Sequence, residues 1–252
     1  MIDTSTFPKE TIDLPSGGKF YPEGSPLASG QIEIFYMCAY HEDILTSTNL
    51  ISKNLVFDKL YEALVATPGA KIDDMLTGDV NAIMVASRIL GYGKDYDVSI
   101  SCPVCSSGEV VTADLTNLKD RVPTDAAVVA GKNFVVTLPV SKAKVEFRLM
   151  TRGMEKEMQK ELDGYKKIQS EYVPETTTFL KFIIVGVNGS TDKPSINTFV
   201  NSMLVKDSKF LREAYLDVKP DINFEFDFTC SSCGNTSAVR LPVGTNFFWP
   251  DR

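Results

Sequence analysis

Two Cys-x-x-Cys pairs, "CPVC" at Cys102–Cys105 and "CSSC" at Cys230–Cys233, stand far apart in the chain. Each is approached by alternating large side chains: Tyr96, Val98 and Ile100 lead to Cys102, and Phe224, Phe226 and Phe228 lead to Cys230. The parity is the same in both. Alternation of this kind is the signature of a half-buried strand. Each half therefore reads as a strand, a tight turn with a nearby glycine (Gly108, Gly234), and a return strand, "EVVTADL" or "SAVRLPV". This is a weak internal repeat of two hairpins presenting equivalent thiol pairs.

Four thiolates on two such turns suit a tetrahedral Zn²⁺, with Zn–S bonds of about 2.3 Å. Cys102, Cys105, Cys230 and Cys233 are the predicted ligands. With four protein ligands no coordination position stays open, so such a site is structural, and its binding energy, on the order of 10 kcal/mol or more, goes into folding. Loop-closure entropy grows slowly with length, so one ion can join hairpins this distant. Four reduced cysteines that bind nothing, a rubredoxin-like iron centre and two separate redox motifs remain as alternatives. The redox reading lacks the strand-then-helix setting of a thioredoxin-like motif. The fifth cysteine, Cys38 in "IFYMCAYHED", reads as a buried small hydrophobe.

The predicted fold class is α+β: mixed helices and short antiparallel hairpins with a split zinc-ribbon-like module of four cysteines. Four segments follow. Residues 1–95 form an N-terminal strand and helical region, and 96–116 the first knuckle hairpin. Residues 117–222 form an inserted hairpin plus helical subdomain, and 223–252 the second knuckle with an aromatic tail. Within these, "QIEIFYM" reads as a strand, and "FDKLYEALVAT" and "GDVNAIMVASRIL" as helices. Asp79 is the expected N-cap of the latter, with Gly91 and Gly93 ending it. "NFVVTLPV" and "AKVEFRLMT" read as a hairpin. "RGMEKEMQKELDGYKKIQSEY" reads as an exposed helix with a thin stripe of Met154, Met158, Leu162 and Tyr165. "PETTTFLKFIIVGVNG" reads as one buried helix capped by Gly189, and Ser195 and Asp207 as caps of two later helices.

Composition narrows the function. An apolar content of 43% and a charged content of 23% are ordinary for a globular chain that buries a core. No apolar run reaches the roughly 18 residues of a membrane span, so no membrane partner is expected. The N-terminal stretch has neither a basic nor an apolar region of the secretory type. A net charge of −7 argues against a nonspecific nucleic-acid binder, since neutralising phosphates takes a basic surface. The single histidine, His41, precedes Glu42 and Asp43 and reads as a surface polar residue rather than a general base; away from it no Ser-His-Asp set is available, and no His-ligated metal is expected. "SGGKFYPEG" lacks phosphate-loop spacing. No catalytic residue and no small-molecule substrate are predicted. The tail "FFWP" either folds back on the core or docks into a partner. In the second case Phe247, Phe248 and Trp249 are the anchors.

The ordered set "LPSGGKFYPEGSP", "MLTGDVNAIMVASRILGYGKDYDVSISCPVC", "VNGSTDKPSINTFVNSMLVKDSKFLREAYLDVKPDINFEFDFTCSSCG" and "LPVGTNFFWP" resembles the T4-like contractile-tail phage family of baseplate hub subunits and hub assembly proteins. The resemblance implies a non-enzymatic late protein of virion assembly. Such a protein is made in the host cytoplasm, acts in the phage tail baseplate, and has other baseplate hub proteins as partners. Carried over residue by residue, only the four cysteines receive a defined job, metal binding. The competing class is a zinc-ribbon nucleic-acid-binding or transcription-associated protein, which calls for a basic cluster beside the knuckles.

Overall fold

Leu14 and Leu138 each end a strand with a Leu-Pro pair, and each starts a loop that an aspartate from a distant helix then holds. The computed structural model describes residues 7–122, 128–129, 133–168, 171–243 and 245–248. In the first half, β1 (Lys9–Asp13) pairs antiparallel with β2 (Gln31–Phe35), which buries Ile32 and Ile34. Three helices follow: α1 (Ala39–Thr46), α2 (Thr48–Ser52) and α3 (Val56–Leu64). Val65 then bridges back to Ile34. Helix α4 (Thr77–Tyr92) leads into the first knuckle hairpin, β3 (Asp95–Ser101) and β4 (Gly108–Asp114), and a short strand β5 (Lys119–Arg121) ends this half.

The second half repeats much of this order, with an added strand at its start and a different set of helices. β6 (Val128–Val129) and β7 (Asn133–Thr137) pair with each other, and β7 pairs with β8 (Lys144–Phe147). Helices α5 (Arg152–Lys167) and α6 (Glu175–Ile183) follow, and β9 (Ile184–Val187) returns to β8 as Val65 returns to β2. Helix α7 (Lys193–Asn201) intervenes. Then α8 (Val205–Val218) leads through β10 (Asp221–Asn223) into the second knuckle hairpin, β11 (Glu225–Thr229) and β12 (Thr236–Arg240).

The correspondence extends to single atoms. The Leu14 N–H donates to Gly30 O at 2.8 Å, and the Leu138 N–H to Ala143 O at 2.9 Å. Asp79 Oδ1 accepts from the Ser16 N–H at 3.0 Å, and Asp207 Oδ1 from the Val140 N–H at 2.8 Å. Both aspartates are fully buried at the third position of their helices. The N-caps are Leu76 and Leu204, extended at ψ 144 and without a side-chain cap bond. From Leu76 to Cys105 and from Leu204 to Cys233 the two halves run in register without insertion. The core positions follow suit: Ile83 matches Leu211, Tyr96 matches Phe224 and Ile100 matches Phe228, all buried. The chain is a tandem of two related units.

The aspartates therefore correct the capping assignment. They do not cap their own helices, because a first-turn carboxylate can instead satisfy the N–H groups of a neighbouring turn. Asp79 also accepts from the Tyr21 hydroxyl at 2.5 Å, and Asp207 from the Ser141 N–H at 2.9 Å. Ser195 is likewise not a cap; Asp192 holds that place and accepts from the Ser195 N–H at 3.0 Å. Gly91 lies inside α4 and only Gly93 ends it. The segment expected as one helix through Gly189 breaks at Ile183. Its second part, "IVGV", is strand β9, where β-branched residues and Gly186 fit against Glu146 of β8 better than in a helix.

The units meet through α4, β5 and β10. β5 pairs antiparallel with β10, from Arg121 opposite Asp221 to Lys119 opposite Asn223. Asn81 Nδ2 donates to Asp221 Oδ1 at 2.7 Å. A Cβ placed on Gly78 would lie 1.8 Å from Pro220 O, so helix and loop touch backbone to backbone. Gly78→Ala should lower stability by about 1–3 kcal/mol through overpacking. Gly164→Ala, where a Cβ meets nothing within 4 Å, should raise it by about 0.5–1 kcal/mol. Urea unfolding of both variants checks this.

Burial opposes ionisation of Asp207, but hydrogen bonds from the Val140 and Ser141 N–H groups and the nearby Lys142 charge outweigh it and hold the carboxyl below its usual range. Its contribution is full above the ordinary carboxylate pKa of about 3.9 and is lost as pH falls through the depressed value. Asp207→Ala should therefore be less stable at neutral pH and show a flatter loss of stability in acid. Urea midpoints measured from neutral to acid pH test this.

Candidate metal centre

The two knuckles are built by the same backbone device. In the first, the Cys102 N–H donates to Ser107 O at 2.8 Å and the Ser106 N–H to Cys102 O at 2.9 Å. In the second, the Cys230 N–H donates to Asn235 O at 3.0 Å and the Gly234 N–H to Cys230 O at 2.9 Å. The turn needs one left-handed residue. Gly234 supplies it with φ 68°, and in the first knuckle it is Ser106, φ 59°, rather than the expected Gly108, which opens strand β4.

The structure brings the four cysteines together. Their sulfurs lie within 4.8 Å of one another, with Cys102 and Cys230 buried and Cys105 and Cys233 exposed. Cys102 Sγ is 3.8 Å from Cys233 Sγ, and Cys105 Sγ is 3.6 Å from Cys230 Sγ. A tetrahedron with 2.3 Å metal–sulfur bonds has edges of about 3.8 Å, so the donor set fits a thiolate-bound tetrahedral ion. The Val104 N–H points at Cys102 Sγ from 3.4 Å. Across the joint, the Ser231 N–H donates to Glu109 Oε1 at 3.1 Å and the Ser107 and Ser232 hydroxyls meet at 2.9 Å. Among the described residues, no other group of three His, Cys, Asp or Glu ligands converges in this way.

Crowding divides the thiols. The Cys105 and Val104 N–H groups lower Cys102 to about 7. The Ser107 N–H pulls Cys105 down, but bonding to Cys233 and the other thiols, with desolvation, outweighs it and raises the group to about 12.

The other predicted residues are placed differently. Phe247 and Phe248 are fully buried in the chain's own core, so the fold-back arrangement is the one present, and the partner anchors assigned to them correspond to interior packing. The Phe247 ring lies 5.1 Å from Tyr96, and that of Phe248 lies 6.0 Å from Phe57. Trp249 lies outside the described residues. Sequence reasoning missed Arg88, which is 1% exposed. It donates to Phe247 O at 2.9 Å, Gly93 O at 2.7 Å and Asp95 O at 3.0 Å, pinning the tail to the end of α4. The signal that was there is an arginine on the apolar face of a helix. His41 is buried rather than on the surface: its Nδ1 accepts from the Cys38 N–H at 3.1 Å, and burial lowers its pKa. Cys38 is half-buried and stands at the N-cap of α1.

These features define a class: a duplicated α+β scaffold with a four-cysteine cluster where the ends of its two units meet. The sequence model of one family, described as T4 bacteriophage base plate protein, matches residues 9–249, nearly the whole chain. The chain belongs to that family, and its place is accordingly among the structural proteins of the phage tail. Neither the curated proteins nor the solved structures compared with it contain a match. No helix among the described residues is long and apolar enough to cross a membrane.

The unequal turn residues give a local test. Ser106→Gly should stabilise the first knuckle and Gly234→Ala destabilise the second, each by about 1 kcal/mol, from the left-handed backbone cost of a Cβ. Thermal unfolding at fixed metal concentration measures both.

Proposed function

We propose that this chain is a non-enzymatic structural and assembly protein of the baseplate hub of a contractile-tail phage. It acts through contacts with other hub proteins and is braced by a zinc-ribbon-like site of four cysteines. The observation that carries the reading is the convergence of Cys102, Cys105, Cys230 and Cys233 at tetrahedral spacing, in a chain of the base plate family. All four protein ligands are thiolates, and together they close the coordination shell. Zn²⁺ suits that set and supplies folding energy, not a reactive position. Glu109 and Ser231, with Ser107 and Ser232, hold the two turns face to face around it.

The surroundings favour a protein partner over nucleic acid. Glu109, Asp97, Asp114 and Asp227 lie on the knuckle hairpins, and Arg240 is the one basic residue on their four strands. Phosphate binding takes clustered Lys and Arg. The protein is expected in the host cytoplasm during late assembly and in the tail of the finished particle.

Purified protein should carry one zinc per chain by elemental analysis, and a chelator should lower its unfolding temperature. Phage encoding the double change Cys230→Ser and Cys233→Ser should yield few assembled baseplates. Mass spectrometry of wild-type virions should find the chain in the tail. Normal plaques from the double variant with no metal in the wild-type protein would overturn the structural-zinc reading.

A further inference from the structure

The two units are alike, but only one of them has the start of its helix covered. At the start of α4, Leu76 is 6% exposed because the second unit lies on it. Leu76 and Thr151 form an antiparallel bridge. The Thr77 N–H donates to Met150 O at 3.2 Å, and the Arg152 N–H donates to Met75 O at 2.8 Å. Arg152 Nε adds an ion pair to Asp58 at 2.8 Å. The joint thus sets the residues just before α4 against the residues just before α5.

Both sides of that joint recur in the other unit. Leu204 and Val205 at the start of α8 correspond to Leu76 and Thr77. Met37, Cys38 and Ala39 before α1 correspond to Met150, Thr151 and Arg152, since "IEIFYM" of β2 aligns with "VEFRLM" of β8. Yet Leu204 is 51% exposed and Val205 is 82% exposed. Ala39 is exposed and Met37 is only half-buried. Among the described residues, the Val205 and Ala39 N–H groups find no backbone acceptor. Nor do the Met37 and Met203 carbonyls receive a backbone N–H. These are the same four positions that pair in the covered joint.

We infer that a second copy of this chain docks there, head to tail, its Met37–Ala39 edge pairing with Met203–Val205 of the first as Met150–Arg152 pairs with Met75–Thr77 within one chain. A joint that is used inside the chain and left open at matching donors, acceptors and apolar residues is complementary to the chain itself. Such a contact is heterologous, so it continues from copy to copy until geometry closes a ring. Ala39 stands where Arg152 does, so the joint between copies lacks the Arg152–Asp58 ion pair and is weaker than the one within the chain. The inference does not rest on the metal or on the hub assignment.

Val205 is the first residue of α8, and Leu204 before it is extended. A proline is well tolerated at such a position, so Val205→Pro removes the N–H donor and leaves the fold intact. Leu204→Asp, at an exposed site, removes the apolar contact. Sedimentation velocity of the full-length protein over a concentration series should show reversible self-association for the wild type. It should show at least a tenfold weaker association for each variant, with unchanged thermal unfolding. A photo-crosslinker at position 204, in a mixture of ¹⁴N- and ¹⁵N-labelled protein, should capture peptides containing Met37 from the other isotope. A wild type that stays monomeric throughout, variants that associate like the wild type, or crosslinks to a different segment or only to another baseplate protein would each overturn the proposal.

Discussion

Four sulfur atoms, each within 4.8 Å of the others, cannot all be anions unless a cation sits among them. Two unit charges about 4 Å apart repel by about 4 kcal/mol at an effective dielectric of about 20, and every pair in the cluster adds such a term. Backbone N–H donors lower Cys102, whereas the neighbouring thiols and desolvation raise Cys105. A divalent ion removes the conflict and lets every thiol ionise. The approach of the two hairpins is therefore conditional on charge. The β5–β10 ladder fixes the same joint from the backbone side, since β5 follows the first knuckle and β10 precedes the second.

The two units keep their backbone bonds while changing the side chains that surround them. Gly30 and Ala143 offer the same carbonyl, and Ser16 and Val140 the same N–H. Ser106 and Gly234 take up the same left-handed turn. These bonds tolerate such exchanges because the changed residues take part through their backbone N–H or C=O alone, while the aspartate that accepts from Ser16 or Val140 is kept. The buried aspartates show how far the surroundings can diverge around a common contact. Burial raises Asp79 despite its bonds to Tyr21 and Ser16, whereas N–H donors and Lys142 leave Asp207 lowered.

What could be read in the sequence was what depends on local period. The alternation of Tyr96, Val98 and Ile100 gave the strand and its buried face, and the thiol spacing marked the four cysteines that the fold brings together. The hairpins around residues 134–151 and the helix beginning at Arg152 followed from the same kind of pattern. What could not be read depends on a distant partner. Asp79, Asp192, Ser195 and Asp207 all have the composition of a cap, but only the fold decides which N–H groups lie in reach. Ile184–Val187 is as apolar as the helix before it, and the open edge of β8 makes it a strand. His41 read as a surface residue and is buried, bonded to the Cys38 N–H at a helix end; for Phe247 the sequence left fold-back and docking open, and contacts from the distant Arg88 and Tyr96 hold it inside.

Duplication explains why the starts of α4 and α8 differ so much in exposure. A unit that evolved to cover its own neighbour needs a surface on each side, one giving and one receiving. In a chain of two units, one receiving surface and one giving surface are left over, here Met203–Val205 and Met37–Ala39. A net charge of −7 makes copies repel at long range, but screening confines that repulsion to about 8 Å at physiological ionic strength. Backbone pairing and apolar contact act within that distance. Long-range charge and short-range edge complementarity thus oppose each other, which suits a building piece that must stay dispersed when dilute and join when brought close.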